Sequence, residues 1–357
     1  MNAPLAAATN PASDIESFSY DALLETVSNV FSGYLPKEDA AYVAHCLVDA
    51  EARGVASHGI GRIPVYTKRL RLGVVNAKPM MKVSRGDSAT AHVNGDNGMG
   101  YLVAQRSMAE AIARGKQYGV SIVVASHSNH FGMAATYLRE AIDAGLGALV
   151  LTNAPPLMPV WGGRTPFLGT SPFAFAAPSK TTPIMLDMAT SVVAFGKIRR
   201  AARRGESIPA DWALDVNGQA TTDPNAAING VVLPMGGPKG SGLGLMMELM
   251  AGVMSGSAFG GEVRNQNSDF EQPQNVGHAF LTFRPDIGLP LADYFGRAEE
   301  LVSRAKASPL AEGVDKIMMP GEIEGARAAR AKRDGLQIAA QDAEMLRDEQ
   351  RLASFHV

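Results

Sequence analysis

Cysteine is almost missing from this chain of 357 residues: Cys46 is alone, so no intramolecular disulfide framework can form. A lone thiol fits a reducing compartment, and the cytoplasm is the expected location. Cys46 lies on the apolar face of a helical pattern with Val43, Leu47 and Ala50, which marks it as packing rather than nucleophile. Charge of one sign is also scarce. Net charge is -2 and charged residues make up 19%, so the concentrated basic surface that nucleic acid requires is absent. The one dense basic cluster, Arg199, Arg200, Arg203 and Arg204, reads as the C-terminal end of a helix starting near Thr190. Long apolar runs are lacking too. The greasiest stretch, Leu243 to Phe259, is interrupted by Glu248, Ser255 and Ser257, which argues against a membrane span. Met1 to Ser13 has neither the basic start nor the apolar core of a secretory signal and reads as a disordered lead-in.

What is present is enough apolar residue, 46%, to bury the core of an enzyme-sized α/β protein of about two domains. Helical periodicity runs from Ser19 to Phe31 and from Lys37 to Arg53, with Pro36 at the second helix start. A short strand at Ala91-His92-Val93 precedes a turn-rich loop and a helix from Tyr101 to Gln117. Buried strands follow at Val120 to Ala125 and Ala148 to Leu151, flanking a helix from Met133 to Ala144 that Gly145 closes. Phe173 to Ala176 and Val276 to Phe283 alternate as strands, and Tyr294 to Ala307 reads as a helix. Gly205 to Gly230 reads as surface loop and Asn265 to Gln274 as a mobile one, while a charged helix is expected to run to about Leu352. Residues 15–80, joined by 325–357, are expected to form a helical domain. Residues 81–324 are expected to form the larger domain, with a polar excursion near 205–230.

With seven histidines in the chain, their placement is informative. Ser57-His58-Gly59-Ile60-Gly61-Arg62 joins a titratable imidazole to a fixed cation, and His127 and His130 stand in the expected loop after the Val120 strand. If residues 58–62 are helical, Arg62 sits one turn beyond His58 and suits a bidentate grip on a carboxylate. Leu186-Asp187-Met188-Ala189-Thr190-Ser191 places a carboxylate before an expected helix start. Such a carboxylate could orient an imidazole as a proton donor, although spacing alone does not bring Asp187 to His58. Met235-Gly236-Gly237-Pro238-Lys239-Gly240-Ser241-Gly242 is the best phosphate cradle: glycines for close approach, a helix start for N–H donors, Lys239 for charge. It lacks the Walker A spacing, and no strict G-x-G-x-x-G follows a strand, so the ordinary Rossmann fingerprint is absent.

Ser57-His58-Gly59 with Arg62, Asn97-Gly98-Met99-Gly100, His130-Phe131-Gly132, Thr170-Ser171-Pro172, Asp187 to Ser191, Lys239-Gly240-Ser241-Gly242 and Pro320-Gly321-Glu322, in this order, resemble the malate/L-lactate dehydrogenase family of the non-Rossmann type. The resemblance runs from about Ser19 to Gly325. It implies an α/β fold with a mixed-sheet nucleotide-binding domain and a smaller helical domain, NADH or NADPH as cofactor, and a homodimer whose active site can borrow from the partner chain. It also implies cofactor contacts from Asp187, Met188, Ala189, Thr190, Ser191, Lys239, Gly240, Gly321 and Glu322, with Asn153 or Ala154 as a further candidate. His58 is the proton donor in some members, and His130 holds that position in others. Ser57 and Arg62 would hold a small carboxylate substrate.

The expected reaction is hydride transfer between nicotinamide and a 2-oxo acid/2-hydroxy acid pair, or reduction of a cyclic or open-chain imine carboxylate. A metal-dependent hydrolase or lyase built on His127, His130 and Asp187 is the reading of another class. No H-E-x-x-H or cysteine set supports it, and no metal is expected. Each residue also has a plainer role: a helix end for His58, a backbone contact for His130, a surface ion pair for Arg62, an N-cap for Asp187, helix packing for Gly240, Gly242 and Gly244.

Overall fold

The computed structural model describes residues 15–84 and 87–356, so the lead-in expected at Met1 to Ser13 lies outside the described residues. The chain divides into two compact units, one reaching Thr67 and resuming at Ala326, the other formed by Lys68–Gly325.

The first unit opens with strand β1 (Ile15–Phe18) and helix α1 (Tyr20–Ser32). Ser19 caps that helix by accepting a hydrogen bond from the Ala22 N–H at 3.1 Å. Leu23, Val27, Val30 and Phe31 fall at helical spacing and are all buried. Helix α2 (Lys37–Ala52) starts directly after Pro36 and encloses Cys46. Two short 3-10 turns follow, Ala56–His58 and Ile60–Arg62, before helix α3 (Ile63–Arg71), within which the unit boundary falls.

The second unit is built on a seven-stranded mixed sheet. In chain order its elements are β2 (Lys82–Ser84), β3 (Thr90–Asn94), α4 (Gly100–Tyr118), β4 (Val120–Ser128), α5 (Ala135–Asp143) and β5 (Gly147–Thr152). Then come the small strands β6 (Pro156–Met158) and β7 (Leu168–Gly169), β8 (Pro172–Ala177), β9 (Ile184–Ala189) and α6 (Phe195–Arg204). The strand pair β10 (Ala213–Leu214) and β11 (Val231–Val232) encloses α7 (Pro224–Asn229), and α8 (Pro238–Met247) continues as a π-helical turn over Glu248–Val253. Strand β12 (Val276–Phe283) and helices α9 (Leu291–Lys306) and α10 (Glu322–Asp334) complete it, α10 crossing the unit boundary. Sheet order is β2-β3-β4-β12-β5-β8-β9, and the β3–β4 pair alone is parallel. This is the non-Rossmann mixed sheet that the family resemblance implies. Val103, Met108, Tyr137 and Leu138 cover one face over Val123, Val150 and Phe280. Met247 of α8 packs with Leu151 and Ala279.

The chain ends in the first unit with β13 (Leu336–Ala339), paired antiparallel with β1, and helix α11 (Ala340–Ser354). The single helix expected to reach Leu352 is therefore broken: α10 stops before Gly335, at φ +83°, and Leu336 and Ile338 alternate inward with Gln337 outward. The polar excursion departs from expectation too. Ile208, Ala213, Ala227 and Val232 are buried in a small core with Met158, Leu168, Val193 and Ile198, so 205–230 is not loop alone. The helix bearing the arginine cluster begins at Phe195 rather than near Thr190, because β9 runs through Ala189 and the Val192 N–H then bonds the Leu233 carbonyl. No helix among the described residues is long and apolar enough to cross a membrane.

Candidate functional site

In the first unit, Ser57, His58 and Arg62 stand on the paired 3-10 turns, not on one helix; Gly59 between them is extended at ψ -153°. The carboxylate of Glu51 shapes this break. It accepts the Ile60 N–H at 3.2 Å, and a Cβ on Gly59 would come within 2.0 Å of Glu51 Oε2, so any larger residue there would displace this carboxylate. Ser57 Oγ and His58 Nδ1 share a hydrogen bond of 2.9 Å. His58 keeps some accessible surface but is crowded by protein atoms, and this desolvation, aided by the Arg62 charge, lowers its pKa to about 4.

In the second unit, three of the segments expected to meet a cofactor converge on β9. Asp187, Met188 and Ala189 are on the strand itself, which corrects the expected strand-to-helix turn. Thr190 and Ser191 follow, both buried, with Thr190 Oγ1 donating to the Ser171 carbonyl at 3.2 Å. The Met235–Gly240 loop lies against this stretch: the Met235 N–H bonds the Thr190 carbonyl at 2.9 Å. A Cβ on Gly240 would sit 2.4 Å from the Met235 carbonyl oxygen and 3.0 Å from that of Thr190, so only glycine lets the loop pack so close. On the other side, the Met185 N–H of β9 bonds the Pro320 carbonyl at 3.0 Å and brings Gly321 and Glu322 to the strand.

Asp187 has an environment of its own. Its Oδ2 accepts the Ala135 N–H at 2.8 Å, so the carboxylate caps the start of α5 from across the chain rather than a helix of its own segment. Its accessible surface puts it among the exposed residues of β9, although protein atoms crowd the carboxylate. Burial raises its pKa to about 6, opposed by the N–H groups of Ala135 and Ala134 and reinforced by the charge of Glu324.

His127 is not in a loop. It sits within β4 at φ +50°, where the register with β12 slips between Val276 and His278. His130 does lie in the loop, between buried Asn129 and Phe131, and its Nδ1 accepts the Gly132 N–H at 3.3 Å. Asn153 is buried; its Nδ2 donates to the Ala258 carbonyl at 2.7 Å and its Oδ1 accepts the Gly277 N–H at 3.0 Å. Its amide is thus occupied inside the protein. Glu322 pairs with Lys306 and accepts the Met319 N–H at 3.0 Å, both of which hold its carboxyl below the usual range. No group of three or more His, Cys, Asp or Glu among the described residues is placed to hold a metal ion, so His127, His130 and Asp187 do not assemble as ligands.

The residues along β9 fit a long ligand with an anionic middle, with one adjustment. Lys239 is exposed and makes no ion pair with a described residue, leaving its ammonium available to a phosphate. The first N–H groups of α8 are not similarly available: those of Gly240 and Ser241 bond the Met235 and Gly237 carbonyls, and Pro238 has none. The expected backbone cradle is therefore closed, and the exposed ammonium of Lys239 is what remains of it. Ser171 Oγ, buried beside Thr190, has no hydrogen-bond partner, a polar atom at the edge of the same groove. The loop 265–274, expected to be mobile, is pinned: buried Arg69 donates to the Asp269 and Gln272 carbonyls, and Lys68 lies 3.7 Å over the Phe270 ring. Gln274 and His278, which the sequence reading passed over, are buried polar side chains here; His278 is the one titratable residue in an otherwise apolar alternating strand.

The sequence profile of the malate/L-lactate dehydrogenase family matches residues 18–347. The L-sulfolactate dehydrogenase of Methanocaldococcus jannaschii is 38% identical over 304 residues, 85% of this chain and 87% of that protein. The solved sulfolactate dehydrogenase of that organism superposes with a TM-score of 0.89 at 34% identity, covering 95% of this chain and 98% of the other. The ureidoglycolate dehydrogenase (NAD(+)) of Escherichia coli O157:H7 is 33% identical over 85% of this chain and 87% of its own length. The Δ1-piperideine-2-carboxylate reductase of Pseudomonas syringae pathovar tomato gives a TM-score of 0.85 at 31% identity, covering 94% of this chain and 99% of the other. With its mixed sheet, its ordered motifs and these relatives, the chain belongs to the malate/L-lactate dehydrogenase family.

Proposed function

We propose that this protein is an NAD(P)-dependent oxidoreductase that interconverts a 2-oxo acid and a 2-hydroxy acid, acting as a cytoplasmic homodimer. The observation that carries the reading is the convergence of 187–191, 235–240 and 320–322 on one strand, with the ammonium of Lys239 open. The nicotinamide ring, when bound, supplies or takes up the hydride. Met188, Ala189 and the buried backbone of Thr190 and Ser191 would line its groove, and Lys239 would meet the diphosphate. Gly321 would close the groove at the other side of β9.

The substrate side is assigned to Ser57, His58 and Arg62. At neutral pH His58 is an uncharged base, suited to accept the hydroxyl proton of a 2-hydroxy acid as the hydride leaves its carbon. In the reverse direction the imidazole must first gain a proton. A substrate carboxylate on Arg62 offsets the cationic repulsion, the smaller of the two causes after burial, and so raises the share of His58 that carries a proton. Ser57 Oγ bonds Nδ1 and so fixes the direction of the imidazole. The alternative within this reading is that His130 is the proton donor, and Asp187 is a further candidate for the reaction. The test is a panel of 2-oxo acids and cyclic imines read by NADH and NADPH absorbance; no turnover with any pair would end the reading.

Reduction of an imine carboxylate is the second reading, favoured by the likeness to the piperideine-2-carboxylate reductase. The same Arg62 grip and the same proton transfer serve it, with nitrogen as the protonated atom.

A further inference from the structure

The loop that carries His130 is clasped at every residue from below. The Nδ2 of Asn129 donates to the Gly98 carbonyl at 2.8 Å, and the Phe131 carbonyl accepts the Tyr137 hydroxyl at 2.5 Å. Two of the clasps come from one short run at the entry to β12. Gln274 Oε1 accepts the His130 N–H at 3.0 Å, while its Nε2 donates to the Arg264 carbonyl at 3.0 Å. Four residues on, the His278 ring stacks on Phe131 with centroids 4.7 Å apart and planes 4° from parallel. The same ring is bonded at Nε2 to Ser128 Oγ, 2.7 Å, and at Nδ1 to Thr152 Oγ1, 2.8 Å. It thus ties β4 to β5 across the strand between them.

We propose that Gln274 and His278 are positioning residues for His130: one fixes its backbone N–H, the other its neighbour's ring, and together they set the direction of the imidazole. The proposal rests on the functional reading above for its link to catalysis. Neither side chain touches the reacting groups in this scheme. Both are buried with their polar atoms bonded, and a buried amide and imidazole are kept at a cost unless they specify a geometry. Burial lowers the His278 pKa to about 3, so the ring stays neutral and the stack on Phe131 is not disturbed by charging at working pH. The Gly277 N–H between the two holds Asn153, so this run also steadies the loop after β5.

The decisive pair of variants is Gln274→Met, which keeps the volume but has no acceptor, and Gln274→Glu, which keeps the acceptor. Gln274→Met is expected to lower kcat by about tenfold to a hundredfold, the cost of a misdirected catalytic group, with nucleotide affinity unchanged within about threefold. Gln274→Glu keeps the acceptor for the His130 N–H but, when ionised, sets an oxygen against the Arg264 carbonyl, so its kcat should exceed that of Gln274→Met and rise as the carboxyl protonates. His278→Gln, which removes the ring beneath Phe131, is the second route should Gln274→Met fail to fold. A readout free of turnover accompanies these: the ring-proton NMR signals of His130, identified by their loss in His130→Ala, should shift and titrate differently in Gln274→Met and His278→Gln. Unmoved His130 signals, or equal kcat in the Met and Glu variants with only a lower Tm, would overturn the proposal. Absence of wild-type turnover with every oxo acid and imine would instead overturn the functional reading, and the His130 signals would still decide this one.

Discussion

The two histidine segments of this protein are held in opposite ways. The turn at Ser57–Arg62 has a break at Gly59, one carboxylate anchor from Glu51, and an imidazole whose proton affinity is set by burial and a neighbouring guanidinium. The segment at Ser128–Phe131 is bonded or stacked at each residue, and its imidazole is directed by packing. The first should respond to charge and the second to shape. Electrostatic tuning and steric direction are separable here because they act on different side chains.

The sharpest way to break this contrast is to remove the charge-tuned imidazole. His58→Ala should reduce kcat by about 10²–10⁴-fold, the usual worth of general acid-base catalysis, with nucleotide affinity nearly intact by fluorescence titration. Unchanged kcat would pass the proton-transfer role to His130 and invert the comparison. Next, Arg62→Gln should raise the apparent KM for the acid by about tenfold to a hundredfold, as loss of a charge-assisted pair implies. The same variant carries a pH signature. For hydroxy-acid oxidation, kcat/KM should fall as pH drops through the pKa of His58, about 4 in the wild type. Arg62→Gln should move that limb to higher pH, because the positive neighbour is gone; a fixed limb would show that burial alone sets it.

Lys239→Ala should weaken nucleotide binding about tenfold and spare kcat at saturation, with salt dependence reduced. The smallest effect is expected at the α5 cap. Asp187→Ala should cost about 1 kcal/mol in denaturant unfolding as a lost N-cap. Its raised pKa means the native state holds the Asp187 proton more tightly than the unfolded chain. The Asp187 contribution to stability should therefore decline as pH rises from about 4 to about 6 and then level. Asp187→Asn should flatten that slope.

Much of the framework was legible in the residues. Val276 to Phe283 is a strand over the expected span, and the alternating run at Phe173 is one as well, because period-two patterning survives burial on both faces. The segments that meet at β9 stood out in the residues because glycine and lysine at chain turns have few other uses, whereas Asp187 lies within the strand itself. What could not be read was pairing across the chain. Asp187 looked like the cap of its own following helix, yet the helix it caps starts at Ala135, 52 positions earlier. Gln274 fell in a polar stretch that reads as mobile, since no local pattern announces that Arg69 will pin the loop from beneath. The helix expected to run on to Leu352 failed for a different reason: a charged, alanine-rich composition hid a four-residue strand that exists only because β1 is there to pair with it.

The π-helical turn at Glu248–Val253 is a place where the chain can lose a residue at little geometric cost. Such a wide turn holds one more residue than an α-helix would, seen in the Met254 N–H bonding back to the Leu249 carbonyl at 2.8 Å. Glu248, buried within it, reaches the Gly260 N–H at 2.9 Å from this position. Excising a single codon there would wind the turn into ordinary helix, and because the wide turn and the shortened α-helical one sweep nearly the same angle, the segment after it would keep its direction.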